Sequence, residues 1–386
     1  MRLVFDGQYT LLENSVSRYT RNLVTSLARI CPALNITLLL FTRRNESDIR
    51  AENTWLPDGV HLYCMAGEET PYVRSRFEVY RRIWHWSLAC RRLKADVFHA
   101  HYTSMPFPFG GGLVTTLHDV FEWVPSLGRA KGRRTLRKML DKLTYRRASI
   151  IAVSEHSKRD FLTYLDKSHP RIEAIQSGVE PKFTPTPSPS DQAVCERLGL
   201  QPGAYVLYIG DLSPRKNVTT LIRAFARCLD ELPIETKLVL TKGVWHPTPE
   251  GELAAQLGIA DRLLFIGHAI EAELPSLYRQ ARVFVFPSRY EGFGFPNLEA
   301  MASGTPVITT NVSSMPEVVG DAALTLDPDD VDGFATAIIR VFHDPDLCHA
   351  LSERGRARAT NFTWERTARG VLRHYQRYHC PTLEFC

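Results

Sequence analysis

Arg215, Lys216, Glu291 and Glu299 are the residues whose charges and spacing have the clearest chemical use in this chain. The two glutamates lie eight apart in Pro287-Ser-Arg-Tyr-Glu291-Gly-Phe-Gly-Phe-Pro-Asn-Leu-Glu299, directly after the apolar run Val283-Phe-Val-Phe286. Gly292 and Gly294 allow the backbone to approach a ligand closely, and Pro296 suits the first turn of a helix running to Gly304. A helix start presents free N–H groups and the positive end of a dipole, which makes it a place for an anion. Glu299 is expected in the first turn of that helix and Glu291 in the loop before it. Two carboxylates beside a phosphate site cannot both serve the phosphate; they suit sugar hydroxyls, from which they accept hydrogen bonds. Gly210 marks a second turn, after Tyr205-Val-Leu-Tyr-Ile209, and this turn delivers Arg215 and Lys216 ahead of another helix. The arginine fork and the lysine point charge together can neutralise a departing diphosphate.

Taken singly, these features have plainer meanings. A lone Arg-Lys pair or an isolated pair of glutamates is ordinarily a solvated helix start. His118-Asp119 reads equally as a strand-end turn, and Asp327-Pro-Asp-Asp330 reads as a turn and N-cap rather than a metal site. The weight comes from their joint occurrence at strand ends of one sheet.

The elements that must position them are short apolar runs alternating with helical patterns. Leu3–Phe5, Ile36–Phe41, Val97–Ala100, Leu113–Leu117 and Ile150–Val153 read as strands, with a helix from Tyr19 to Ile30. The alternation restarts with Tyr205–Ile209, a helix over Val218–Leu229, then Lys237–Leu240, Leu263–Ile266, Val283–Phe286, Pro306–Thr309 and Ala323–Leu326. Such alternation implies parallel sheets covered on both faces, with ligands at the carboxyl ends of the strands. The fold class is therefore α/β, with two doubly wound Rossmann-like domains. Pro181-Lys-Phe-Thr-Pro-Thr-Pro-Ser-Pro189 is expected to be the linker. The domains are placed at 1–187 plus 366–386, and at 188–365. Trp364–Tyr378 is helical by pattern, with Trp364, Val371, Leu372 and Tyr375 on one face, and is expected to pack back on the first domain.

A chain of 386 residues with 44% apolar residues is too long for one core, which agrees with two domains. The eight cysteines show no paired-ligand spacing, so they read as reduced thiols rather than a disulfide framework or zinc site, and His379-Cys380 as a frayed tail. The start lacks a signal-like apolar region, and no apolar run approaches the roughly 20 residues that span a bilayer. A cytoplasmic protein is expected, peripheral on the inner face of the membrane. Net charge is +5, but residues 1–187 hold 28 Lys+Arg against 18 Asp+Glu, whereas 188–365 hold 15 against 23. The basic half implies something anionic as its neighbour. Its charge concentrates in Arg74–Lys94, interleaved with Tyr80, Trp84 and Trp86, and in Arg129–Arg147; cations with aromatics suit a membrane interface. Nucleic acid is not expected, since no recognition module accompanies the charge. No G-x-G-x-x-G follows the first strand, which excludes a dehydrogenase.

Glu291-x7-Glu299 within its glycine-containing turn, paired with Pro214-Arg-Lys-Asn217, resembles glycosyltransferase family 4. The likeness covers nearly the whole chain: Thr115–Asp119, Val153–Lys158, Ser177–Val179 and Phe265–Gly267 fall where that family's shared segments fall. The resemblance implies a GT-B fold, two domains facing across a cleft, with donor in the C-terminal domain, acceptor largely in the N-terminal one, retention of anomeric configuration, no cofactor and no metal. It assigns Arg215 and Lys216 to the diphosphate, Glu299 to the ribose hydroxyls, and Glu291 with Gly292, Phe293, Gly294 and Phe295 to the donor sugar. Gly210 belongs to the same donor site, and His118 is assigned to the sugar from the first domain. The mannosyltransferases of the family are the nearest in character, so the expected donor is GDP-mannose and the acceptor a glycan or lipid-linked sugar in polysaccharide or lipopolysaccharide assembly. The alternatives are a nucleotide-sugar epimerase or hydrolase of the same fold, or a non-catalytic binding protein on that scaffold. One departure stands out: Glu13-Asn14-Ser15-Val16-Ser17-Arg18-Tyr19 keeps Arg18-Tyr19 but lacks the family's glycine-rich turn; Asn14 can adopt positive φ, and the serines can donate to phosphate.

Overall fold

The apolar runs become the strands of two parallel sheets. In a computed structural model, all residues are described except 13, 68–75, 103–108, 126, 128–144, 242–247, 268–270 and 382–386, and 76–82 by backbone alone. The chain divides into two units, Met1–Gly178 with Thr363–Cys386, and Val179–Phe362.

In the first unit β1 (Arg2–Asp6), β2 (Asn35–Phe41), β3 (Val60–Met65), β4 (Val97–His101), β5 (Gly112–Leu117), β6 (Ser149–Ala152) and β7 (Ile172–Ala174) form one sheet in the order β3-β2-β1-β4-β5-β6-β7. In the second, β8 (Tyr205–Tyr208), β9 (Lys237–Leu240), β10 (Leu263–Phe265), β11 (Val283–Phe286), β12 (Val307–Thr310) and β13 (Leu324–Leu326) lie in the order β10-β9-β8-β11-β12-β13. Neighbouring strands in both sheets pair in parallel. Parallel pairing requires a crossover at every step, and helices such as Val218–Cys228, Phe295–Ala302 and Val331–His343 provide it. All eight side chains of β8 and β11 are no more than 1% exposed. At about 1.5–3 kcal/mol per fully buried large apolar side chain, these two strands are a rigid platform. From β8 the chain proceeds through β9 and β10 to one side, and from β11 through β12 and β13 to the other. The carboxyl ends of β8 and β11 therefore flank the point where strand order reverses, the position at which such sheets hold ligands.

The C-terminal helix Trp364–Tyr378 closes on the first unit, as its apolar face predicts. Trp364 stands edge-on to Tyr19 at 5.6 Å, and Thr367 Oγ1 donates to the carbonyl of Gln176 at 2.8 Å. A Cβ at Gly178 would lie 2.3 Å from the Trp364 nitrogen, so the chain passes this helix start only as glycine.

Several expectations change. The helix expected from Tyr19 begins at Ser15, because Asn14 caps it: its Oδ1 accepts from Ser17 N at 2.9 Å. Asn14 is extended, with φ −150, and does not use the positive φ open to it. The stretch Pro181–Pro189 falls inside the second unit, where Phe183 is buried edge-on against Tyr278 at 5.8 Å and the Thr184 carbonyl accepts from Arg279. His379 is not frayed, since its Nε2 meets Ser149 Oγ at 2.8 Å. Trp86, read as an interface aromatic, is 3% exposed and packs on Phe41 and Phe98, whereas Trp84 is 64% exposed. Most of the basic stretch Arg129–Arg147 lies outside the described residues. Among the described residues no helix is long and apolar enough to cross a membrane.

Candidate active site

The loop after β8 turns tightly because Gly210 permits it: a Cβ there would lie 2.5 Å from Tyr208 Oη, and Gly210 N donates to Thr241 Oγ1 at 3.0 Å. One short turn, Pro214–Lys216, then leads to Asn217, whose left-handed φ of 56 redirects the chain into the helix Val218–Cys228. Asn is among the few residues that tolerate this region. Its amide Nδ2 donates to the carbonyls of Pro287 at 3.1 Å and Pro328 at 2.6 Å. Arg289 N donates to the Arg215 carbonyl at 2.8 Å, which joins the loop after β8 to the loop after β11.

These links bring Arg215, Lys216 and Glu291 together. Lys216 Nζ lies 2.6 Å from Glu291 Oε1 and Arg215 Nη1 3.3 Å from the same oxygen, while Ser288 Oγ donates to it at 2.7 Å. Lys216 is 7% exposed and Glu291 9%, so this is a nearly buried pair rather than a surface one. The Lys216 ammonium also sits 4.9 Å from the ring centre of Phe286, the last residue of β11. On its other side Arg215 reaches Asp211 at 3.5 Å. Burial pushes the Asp211 carboxyl up, but bonds from Ser213 and the charges of Lys216 and Arg215 outweigh it and hold it below its ordinary value.

A third strand end fixes the backbone of Glu291. Ser313 Oγ accepts from Glu291 N at 3.0 Å and donates to its carbonyl at 2.8 Å. Ser314 Oγ lies 3.0 Å and 2.9 Å from the carbonyls of Glu291 and Phe293. The turn ends at Gly294, with φ 97 and ψ 47, and the helix Phe295–Ala302 starts at once. Glu299 is thus the fifth helical residue, in the second turn rather than the first, because the left-handed glycine sets the helix start before Pro296. It is 3% exposed and accepts from Tyr278 Oη at 2.9 Å. Phe293 is also 3% exposed, packed edge-on to Phe295 at 5.2 Å and Phe362 at 6.0 Å. Its ring serves the core, so the Gly292–Phe295 turn offers a ligand mainly backbone.

His118 follows β5 in the first unit. It is 8% exposed, edge-on to Tyr19 at 5.0 Å, with Nε2 3.1 Å from His101 Nδ1. Burial pushes its imidazole down to about 3. Ser288, Ser313, Ser314, Tyr278 and His101 were absent from the sequence reading. Ser288 lies inside the glycine-containing motif and Ser313-Ser314 follow β12, so strand-end position was an available signal for those three. Asp330 caps its helix by accepting from Gly333 N at 2.8 Å, as the turn-and-cap reading expects.

Cations, carboxylates and a helix start at the carboxyl ends of a doubly wound sheet suit a ligand that carries both an anion and hydroxyl groups, and two such Rossmann-like units make the α/β GT-B fold. Residues 197–358 match the family model of glycosyl transferases group 1, and residues 16–183 that of glycosyltransferase family 4. O-antigen chain mannosyltransferase B of Escherichia coli is 31% identical over 338 residues, 86% of either chain. MMP alpha-(1->4)-mannosyltransferase of Mycolicibacterium hassiacum is 32% identical over 232 residues, 59% of this chain and 54% of that one. Anabaena HepE, solved in complex with UDP-glucose, superposes with a TM-score of 0.76 at 18% identity over 98% of this chain and 100% of its own, a likeness of fold. The chain belongs to glycosyltransferase family 4, and it is an enzyme that transfers a hexose.

Proposed function

We propose that this enzyme is a retaining mannosyltransferase that takes mannose from GDP-mannose and passes it to a glycan or lipid-linked acceptor during assembly of an O-antigen-like polysaccharide. The observation that carries this reading is the cluster of Lys216, Arg215 and Glu291 at the ends of β8 and β11, in a chain related to O-antigen chain mannosyltransferase B. A departing diphosphate needs its developing charge neutralised where it forms, and cations held in a water-poor site do this at little reorganisation cost. Arg215 and Lys216 take that role. Glu291 and the Gly292–Phe295 turn bind the mannosyl group, Glu299 binds the ribose, and His118 contacts a sugar hydroxyl. No resident metal or cofactor is required in this scheme, because the leaving group is met by protein cations.

The acceptor side includes a membrane surface in this reading. Trp84, Leu88 and Arg91 lie on one face of the helix Arg76–Arg92, the first two 64% and 40% exposed. An aromatic with cations on one face is suited to anionic head groups.

The test is a thermal-shift panel of GDP, UDP and ADP sugars followed by transfer to a mannosylated acceptor, with product configuration read by NMR. A ligand at 100 times its dissociation constant adds about 2.7 kcal/mol, so the preferred base is resolved. Stabilisation by the guanine series and an α-linked product are expected. Preference for UDP sugars would overturn the donor, a β-linked product the retention, and free mannose without acceptor transfer the transferase reading.

A further inference from the structure

In the first unit a run of buried polar side chains leads away from His118. His118 Nε2 is 3.1 Å from His101 Nδ1, His101 Nε2 is 2.7 Å from Thr20 Oγ1, and Thr20 Oγ1 is 2.8 Å from the Val16 carbonyl oxygen. Thr20 and His101 are each no more than 2% exposed and His118 is 8%. The parallel register sets the spacing: His101, the last residue of β4, pairs with Thr116 of β5, and His118 follows two residues later. Thr20 is supplied by the helix Ser15–Ile30.

Donors and acceptors in this run assign themselves. A carbonyl oxygen only accepts, so the single hydroxyl proton of Thr20 goes to Val16 and its oxygen accepts from the other side. His101 Nε2 therefore carries a proton. Burial and the neighbouring His118 and His99 push His101 well below the ordinary histidine range, so the ring is neutral and has one N–H. Its Nδ1 is then the acceptor, and His118 Nε2 is the donor to it. His118 is neutral for the same reason of burial. The nitrogen left over, His118 Nδ1, carries a lone pair and no proton, and among the described residues the hydrogen bond of the His118 ring is the one to His101.

We propose that His101 is a positioning residue: anchored by Thr20, it locks His118 as the Nε2–H tautomer, so that His118 Nδ1 accepts a hydrogen bond from a substrate hydroxyl. This deepens the reading above and rests on it only for the statement that the hydroxyl belongs to a hexose. A neutral acceptor selects a hydroxyl and rejects an anionic oxygen, which would face a lone pair with no proton between them. Thr20 and His101 do not touch the substrate; they act through the ring they orient.

The tautomer is read directly by ¹⁵N NMR of the histidine side chains of the full chain at neutral pH, with His118 assigned by loss of its signals in His118→Gln. The expected result is a protonated Nε2 and an unprotonated Nδ1. His101→Asn, whose Oδ1 replaces Nδ1 as acceptor, keeps that tautomer, whereas His101→Leu lets His118 populate both. With GDP-mannose as donor, kcat falls about tenfold to a hundredfold in His101→Leu, the worth of one buried hydrogen bond, and less in His101→Asn. The two rings act as a unit, so His101→Leu combined with His118→Gln is no slower than His118→Gln alone. An Nδ1–H tautomer in the unaltered protein, a tautomer indifferent to His101→Leu, or additive losses in the double variant would each overturn the proposal. Should His101→Leu fail to fold, the unaltered protein and His101→Asn still decide it by NMR. Absence of turnover with GDP-mannose removes the donor reading and leaves the tautomer test standing.

Discussion

Replacing Lys216 with methionine separates a catalytic role for the Lys216–Glu291 pair from a structural one. Lys216 Nζ is 2.6 Å from Glu291 Oε1 and both residues are less than 10% exposed, so loss of the cation leaves a nearly buried carboxylate short of a partner. Breaking a fully buried pair costs about 3–5 kcal/mol, but here Arg215 at 3.3 Å and Ser288 at 2.7 Å remain on the same oxygen. The cost is therefore about 2 kcal/mol, which lowers Tm by about 4–8 °C for a unit of this size. Methionine fills the space beside Phe286, so a cavity adds little. Adding Glu291→Gln removes the stranded charge and returns about half of that loss. Turnover follows a different course: one cation lost from the leaving group costs on the order of 10²–10³ in kcat, and the double variant recovers none of it. Calorimetry gives the stability and a donor-consumption assay the rate. Recovery of turnover in parallel with stability in the double variant would refute the assignment, because the pair would then serve folding alone.

Two further outcomes follow from burial and charge. Acid should unfold the first unit before the second: His118 has a folded value near 3 against 6.5 unfolded, so its contribution is intact above pH 6.5 and falls by about 1.4 kcal/mol per pH unit between the two. His99 and His101 shift in the same direction. In the second unit burial raises Asp191, but Arg279, Ser188 and Ser276 hold it at about 2; that stabilisation is present above 3.8 and is lost only on falling toward 2. A calorimetric scan at pH 5 should thus resolve two transitions, and a single transition at that pH would contradict the account. Trp84→Ser should reduce flotation with anionic liposomes about fivefold while leaving transfer to a soluble acceptor unchanged; equal flotation would remove the membrane contact.

Legibility in the sequence followed burial. The central strands were readable because a parallel strand covered on both faces is a continuous apolar run, as in Tyr205–Tyr208 and Val283–Phe286. The two strands missed, Val60–Met65 and Ile172–Ala174, are the edges of the first sheet, half exposed, and the second is three residues long. Their runs are broken by polar residues, His61 in Val-His-Leu-Tyr-Cys-Met and Glu173 in Ile-Glu-Ala, whereas the edges of the second sheet, Leu263–Phe265 and Leu324–Leu326, stay apolar enough to be read. The site divided in the same manner. Arg215, Lys216, Glu291 and the glycines were legible because their types are chemically specific and the turn between them is local. His101 was not: its link to His118 spans 17 positions and exists only because β4 and β5 pair in a given register.

That Glu291 binds two cations while the resemblance assigns it to a sugar is not a conflict, and the strand ends explain why. Arg215 and Lys216 are adjacent in sequence, and with the Lys216 side chain 8% exposed and that of Arg215 28%, water screens their mutual repulsion only in part. A carboxylate between them offsets that repulsion and fixes both side chains before any substrate arrives. The carboxylate is itself held from three strand ends: by Arg215 and Lys216 after β8, by Ser288 after β11, and through its backbone by Ser313 and Ser314 after β12. Under the proposed function, a diphosphate entering beside Lys216 would bring negative charge of its own, so that the cations would no longer depend on Glu291 and its oxygens would be open to accept from hydroxyls. On that reading, binding of the leaving group and binding of the sugar would be coupled through one side chain. Glu291→Gln should accordingly weaken binding of the intact nucleotide sugar more than that of the free nucleoside diphosphate, because only the former uses the released carboxylate.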